Sequence, residues 1–134
     1  MPSDDDIKAA VQHAVDIRGA TASAAELDTL LRLAKGRLRL FPLDNLPLDQ
    51  LAGRLTDLLL LGRRDILETP HRPQIRAQVR SAVTTLGLPA PPEEAVEALV
   101  NVTIGWMTDH SLPTPPGGRA FLVRYIVGGY LSGS

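Results

Sequence analysis

The chain has 134 residues, 44% of them hydrophobic and 22% charged, a composition that suits one globular domain able to close a core without covalent staples. It contains no cysteine, which excludes disulfides, thiolate metal sites and cysteine nucleophiles. The net charge of −1 gives no bulk attraction to nucleic acid or acidic membranes, and no run approaches the roughly 18 apolar residues of a membrane span. Asp4, Asp5 and Asp6 stand where a signal peptide would be basic, so the expectation is cytoplasmic.

Ser3 ahead of Asp4, Asp5 and Asp6 marks a helix start, with negative charge at the positive end of the helix dipole. Ile7, Ala10, Val11, Ala14 and Val15 then recur at spacings of three and four, and Gly19 stops the run. Ser23-Ala24-Ala25-Glu26 is a capping box for a second helix, which the pattern carries to about Phe41, where Pro42 ends it. Its stripe is Leu27, Leu30, Leu31, Ala34, Leu38 and Phe41, with Arg32, Lys35 and Arg39 opposite. Arg37 falls inside the apolar arc, so it either snorkels to solvent or meets a carboxylate such as Asp44.

A third helix is expected from Pro47 as its first residue, with a stripe of Leu48, Leu51, Ala52, Leu55, Leu58, Leu59, Gly62 and Ile66. Leu60, Leu61 and Leu67 point in other directions, and a helix apolar nearly all round belongs at the centre of a bundle. Helix four follows the turn at Thr69–Pro73, with Ile75, Val79, Ala82, Val83 and Leu86 on its core face and Gly87 as its stop. A proline connector at 88–92 leads to helix five, whose inward residues are Val96, Leu99, Val100, Thr103, Trp106 and Met107. Beyond a second connector at 112–118, the segment 120–131 is expected to be a docking helix. A strand is its alternative, since Phe121, Val123, Tyr125, Ile126 and Val127 favour one although no partner strand is evident. The fold class is therefore all-α: a single domain over 1–134, a compact bundle of five to six helices around a leucine-rich central one. No repeat of solenoid period is visible.

Candidate chemistry is sparse. Arg72, Arg76 and Arg80 recur every four residues, and with Arg63 and Arg64 they offer phosphate contacts to a nucleic acid. No aromatic residues interleave with them, and the acidic first and fifth helices supply partners for a merely solvated, ion-paired face. His13, His71 and His110 lack metal-like spacing, so neither metal nor cofactor is expected. Asp109-His110-Ser111 spells the members of a catalytic triad, but consecutive side chains cannot face one another through space, and no catalytic residue is assigned. Asn101-Val102-Thr103 lies mid-helix and Pro113–Pro116 reads as a linker.

Glu26-Leu27-Asp28-Thr29-Leu30, then Gly36, Leu38, Leu40 and Pro42, then Leu51-Ala52-Gly53-Arg54-Leu55, resembles a pattern in short helical proteins of high-GC bacteria. That uncharacterised family is associated with natural-product gene clusters, and the likeness covers the first half of this chain. It implies a small helical protein and carries no site residues.

Three functions fit these features. The first is a non-enzymatic helical interaction module, a homodimeric accessory or regulatory protein whose interface uses Leu60, Leu61, Leu67, Phe121, Tyr125 and Tyr130. The second is a nucleic-acid-binding regulator using Arg63, Arg64, Arg72, Arg76 and Arg80. The third is a small enzyme or ligand carrier with an apolar pocket near Trp106, Met107 and Tyr125.

Overall fold

The computed structural model describes residues 3–36, 46–64, 72–86, 91–109 and 117–133. They form six helices: α1 (Asp4–Ile17), α2 (Ala24–Gly36), α3 (Leu48–Arg64), α4 (Arg72–Thr85), α5 (Glu93–Thr108) and α6 (Gly118–Ser132). No strand occurs among the described residues, and the helix expected over 120–131 is α6. The end of helix two at Phe41, the placement of Arg37, Ile66 and Leu67, and the segments 88–90 and 112–116 lie outside the described residues.

Local chemistry sets the helix starts. The Ser3 hydroxyl accepts from the Asp6 backbone N–H at 3.2 Å, and the Ser3 N–H donates to the Asp6 carboxylate at 3.2 Å. The same reciprocal pair recurs at Ser23 and Glu26, at 2.9 and 3.1 Å. Each box satisfies two donors that a helix start would otherwise leave unpaired. Pro47 stands one residue before α3 and accepts from the Leu51 N–H at 2.9 Å.

Among the described residues the buried faces follow the expected stripes, except that Leu27 and Leu48 are only partly buried and Leu86 and Met107 are exposed. In α1 the buried residues are Ile7, Ala10, Val11, Ala14 and Val15. Leu86, expected in the core, is 49% exposed just beyond the end of α4, and Met107 is 42% exposed. Met107 sits in the last turn of α5 beside exposed Thr108, where the periodicity outruns the covering helices. Buried Thr29, Thr56 and Thr103 each donate to the carbonyl four residues back, at 2.7–2.8 Å, so their burial leaves no unpaired hydroxyl.

The leucine-rich α3 lies against the two helices with most neighbours, α2 and α5, each of which packs on four others. α3 packs on α1, α2 and α5, whereas α5 packs on α2, α3, α4 and α6. Two crossings bring helix backbones together. A Cβ on Gly62 would overlap the Asn101 carbonyl, and a Cβ on Gly105 would overlap that of Leu58, so α3 and α5 run antiparallel in direct backbone contact. Between α2 and α6 the same arrangement appears: Gly36 lies against Gly129, and Gly133 against the Arg32 carbonyl. Only glycine permits such close approach.

Candidate functional site

The arginine stripe is consumed inside the chain. Arg76 Nε donates to Glu97, Arg72 reaches the same carboxylate at 3.4 Å, and Arg80 pairs with Glu93. Arg72 also donates to the Gly62 carbonyl at 2.9 Å and to the Asn101 side chain at 2.8 Å, which ties α4 to the α3–α5 crossing. The Arg76 pKa is raised, chiefly by its hydrogen bond to Glu97. Arg63 bonds the Thr21 carbonyl at 2.8 Å and lies 3.5 Å from Glu26; Arg64 is exposed. The fourfold spacing of these arginines therefore matches the fourfold spacing of Glu93 and Glu97 across a helix pair. That match could have been read from the two periodicities together.

Glu97 holds two arginines, and Arg72 is only 15% exposed. Replacing Glu97 with Ala takes the carboxylate from both cations, leaving Arg72 its bonds to Gly62 and Asn101, and the expected loss is about 2 kcal/mol of unfolding free energy, measured by denaturant titration. The same variant leaves Arg76 without its carboxylate, and a small gain in DNA binding over the wild type is expected in a low-salt mobility-shift assay.

The predicted interface residues separate. Leu60 and Leu61 are half-buried and, with Gly19 and Ala20, floor a groove of about 680 Å³ rimmed by Arg18, Asp57, Arg63 and Arg64. Arg18 grips Asp57 with two hydrogen bonds, at 2.6 and 3.3 Å, and also donates to the Ala14 carbonyl at 2.9 Å. Its guanidinium lies 2.9 Å from where a Cβ of Gly53 would stand, so Gly53 makes room for it. Hydrogen bonding to Asp57 raises the Arg18 pKa, outweighing its desolvation. Beyond this ion pair a second groove, about 470 Å³, continues between α1 and α3 past His13, Ile17, Asp49 and Gln50. The two grooves share Arg18 and Asp57, and together they run along one face.

Phe121 and Tyr125 lie elsewhere. Their rings stack with centroids 6.4 Å apart on α6, which packs on α2, α4 and α5 but not on α3. Tyr130, expected at an interface, is instead 4% exposed inside the chain, with Arg32 5.2 Å from its ring centroid. It cannot meet a partner without leaving that position. Burial raises the Tyr130 pKa, partly offset by Arg32. An unfolded tyrosine ionises near pH 10. Because the folded phenol resists ionisation, stability is expected to hold below that pH and to fall as pH rises through and above it. Denaturant titrations at neutral and alkaline pH check this, with Tyr130→Phe expected to reduce the alkaline loss.

Trp106 is 1% exposed in the core while Met107 turns outward, so the two neighbours proposed for a ligand pocket do not face one cavity. His13 lies exposed in the α1–α3 groove; His71 and His110 lie outside the described residues. Among the described residues no group of three metal-binding side chains converges, and no helix is long and apolar enough to cross a membrane. The joined grooves thus combine half-buried leucine side chains, charged residues and a clamped ion pair. No protein-family model, curated protein or solved structure matches the chain.

Proposed function

We propose that the protein is a non-enzymatic helical interaction module that acts as a homodimer through the exposed edge of α3. The observation that carries this reading is the order of residues along that edge. Asp57, Leu60, Leu61 and Arg64 follow one another along its second half, with the two leucines midway between the charges and Asp57 also held by Arg18. A second copy laid antiparallel brings the basic end of one protomer over the acidic end of the other, with the leucines between them. Self-complementarity of this kind is what a two-fold interface requires. An apolar centre inside a charged rim is the usual anatomy of such a patch. Accessory or regulatory work through protein contacts follows from this reading, as does residence in the cytoplasm.

Light scattering after size exclusion tests it. The wild type is expected to show twice the chain mass, and Leu61→Arg or Arg64→Glu the single mass with unchanged helical circular dichroism. Phe121→Arg, on the other face, is expected to remain dimeric. A wild type that stays monomeric at high concentration defeats the proposal. The nucleic-acid alternative has less support, because four of its five arginines are bonded within the chain.

A further inference from the structure

Each helix pair in contact has a counterpart when α1, α2 and α3 are exchanged for α4, α5 and α6. The α1–α2 contact maps to α4–α5, α1–α3 to α4–α6, α2–α3 to α5–α6, and α2–α6 to α5–α3; α2–α5 maps onto itself. Pairs that are absent have absent counterparts too: α1–α5 with α4–α2, and α1–α6 with α4–α3. That is the contact pattern of a two-fold axis through the α2–α5 contact.

The glycine crossings obey the same exchange. Gly36 against Gly129 maps to Gly105 against Leu58, and Gly133 against Arg32 maps to Gly62 against Asn101. In each helix the glycine follows the opposing contact by four residues, so the register is identical.

The sequence agrees. Ile7, Ala9, Val11, Ala14, Val15 and Gly19 in and after α1 correspond to Ile75, Ala77, Val79, Ala82, Val83 and Gly87 in and after α4. Leu27, Asp28, Leu30, Leu31 and Gly36 correspond to Val96, Glu97, Leu99, Val100 and Gly105. Leu51, Leu55, Leu60 and Gly62 correspond to Leu122, Ile126, Leu131 and Gly133. Burial agrees at most of these pairs, half-buried Leu60 with Leu131 and half-buried Arg32 with Asn101 among them, while Leu27 and Gly36 are half-buried where Val96 and Gly105 are buried. The spacing between counterparts is roughly 70 residues, well above the 20–50 of solenoid repeats, and its small changes fall between helices.

We infer that the chain is an intramolecular dimer: two copies of one three-helix unit, Asp4–Arg64 and Arg72–Gly133, each closing the core of the other. The surface that α2 and α3 present is thus a docking surface whose fitting partner is another copy of the same unit. The glycines of the crossings are held alike in both units, whereas the outer grooves have diverged. Arg18, Gln50, Gly53 and Asp57 correspond to Leu86, Phe121, Arg124 and Gly128, so the α1–α3 ion pair has no equivalent between α4 and α6. The exposed Leu86 and Phe121 occupy the places of groove residues in the first unit. None of this depends on self-association of the whole chain.

The units should then tolerate being joined in either order. Arg72, which opens the second unit, donates to the Gly62 carbonyl at the end of α3. Asp4, which opens the first, pairs with Lys35 at 3.1 Å, less than one turn from Arg32, whose carbonyl backs Gly133 at the end of α6. A circular permutant of the full chain, opened before Arg72 and joined from Ser134 to Ser3 by a copy of residues 65–71, is expected to fold with unchanged helicity and an unchanged oligomeric state. Its thermal midpoint should lie within a few degrees of the wild type. In a crystal structure of the protein, α1, α2 and α3 should superpose on α4, α5 and α6 by a rotation near a half-turn. A permutant that does not fold, or units related by a rotation far from a half-turn, would overturn the inference.

Discussion

Gly105→Ala is expected to remove about 3 kcal/mol or more of unfolding free energy, because the new methyl group meets the Leu58 carbonyl rather than a side chain. A flexible neighbour could rotate away. A helix backbone can only be displaced, and moving α3 away from α5 breaks the contact of Gly62 with Asn101 as well. Helix propensity acts the other way, since Ala is favoured over Gly in a helix by about 1 kcal/mol, so any net loss understates the clash. Gly128→Ala supplies the opposite sign. Gly128 lies within α6 with nothing inside 4 Å of its would-be Cβ, and its replacement is expected to stabilise by about 0.5–1 kcal/mol. Guanidinium denaturation of both variants checks the pair; a neutral Gly105→Ala would mean that the crossing is looser than described.

Trp106→Ala is the second large loss, about 3–5 kcal/mol, since the largest fully buried side chain leaves a cavity that packed helices refill only in part. Total stabilities of single domains run to about 5–15 kcal/mol, so this one change consumes a large share. Trp106→Phe keeps most of the volume and is expected to cost clearly less. As the only tryptophan, Trp106 should emit at short wavelength in the native state and shift to the red on unfolding. Circular dichroism follows the variants that lack it.

The fold was largely legible because its determinants are local. The helix start behind Ser3, the capping box at Ser23, a glycine stop and the spacing of Ile7 to Val15 need no knowledge of neighbours, and each appears in the structure as read, the Ser3 start as a second capping box. The helix over 118–132 was harder. Its β-branched and aromatic residues favour a strand locally, and packing on α2, α4 and α5 decides for a helix. Tyr130 was misplaced because composition marks an aromatic side chain as useful at an interface without saying which side of its helix is covered. The close glycines are invisible until partners are known, since a glycine that stops a helix and one that admits another backbone are the same letter. The Arg–Glu lock and the doubled unit were both present as patterns. Each required comparing two distant segments rather than reading one along its length.

The two backbone crossings imply an order in which the molecule loosens. Contacts between backbones have no rotamers to rearrange, so α3 with α5 and α2 with α6 either hold their spacing or separate outright. α1 and α4 are attached differently, through side chains and ion pairs, each to only two neighbours. In hydrogen exchange their amides should therefore open first, while amides near Leu58, Asn101 and Arg32 exchange only with global unfolding. The outer pair would act as the shutters of the molecule, and the four inner helices as its frame.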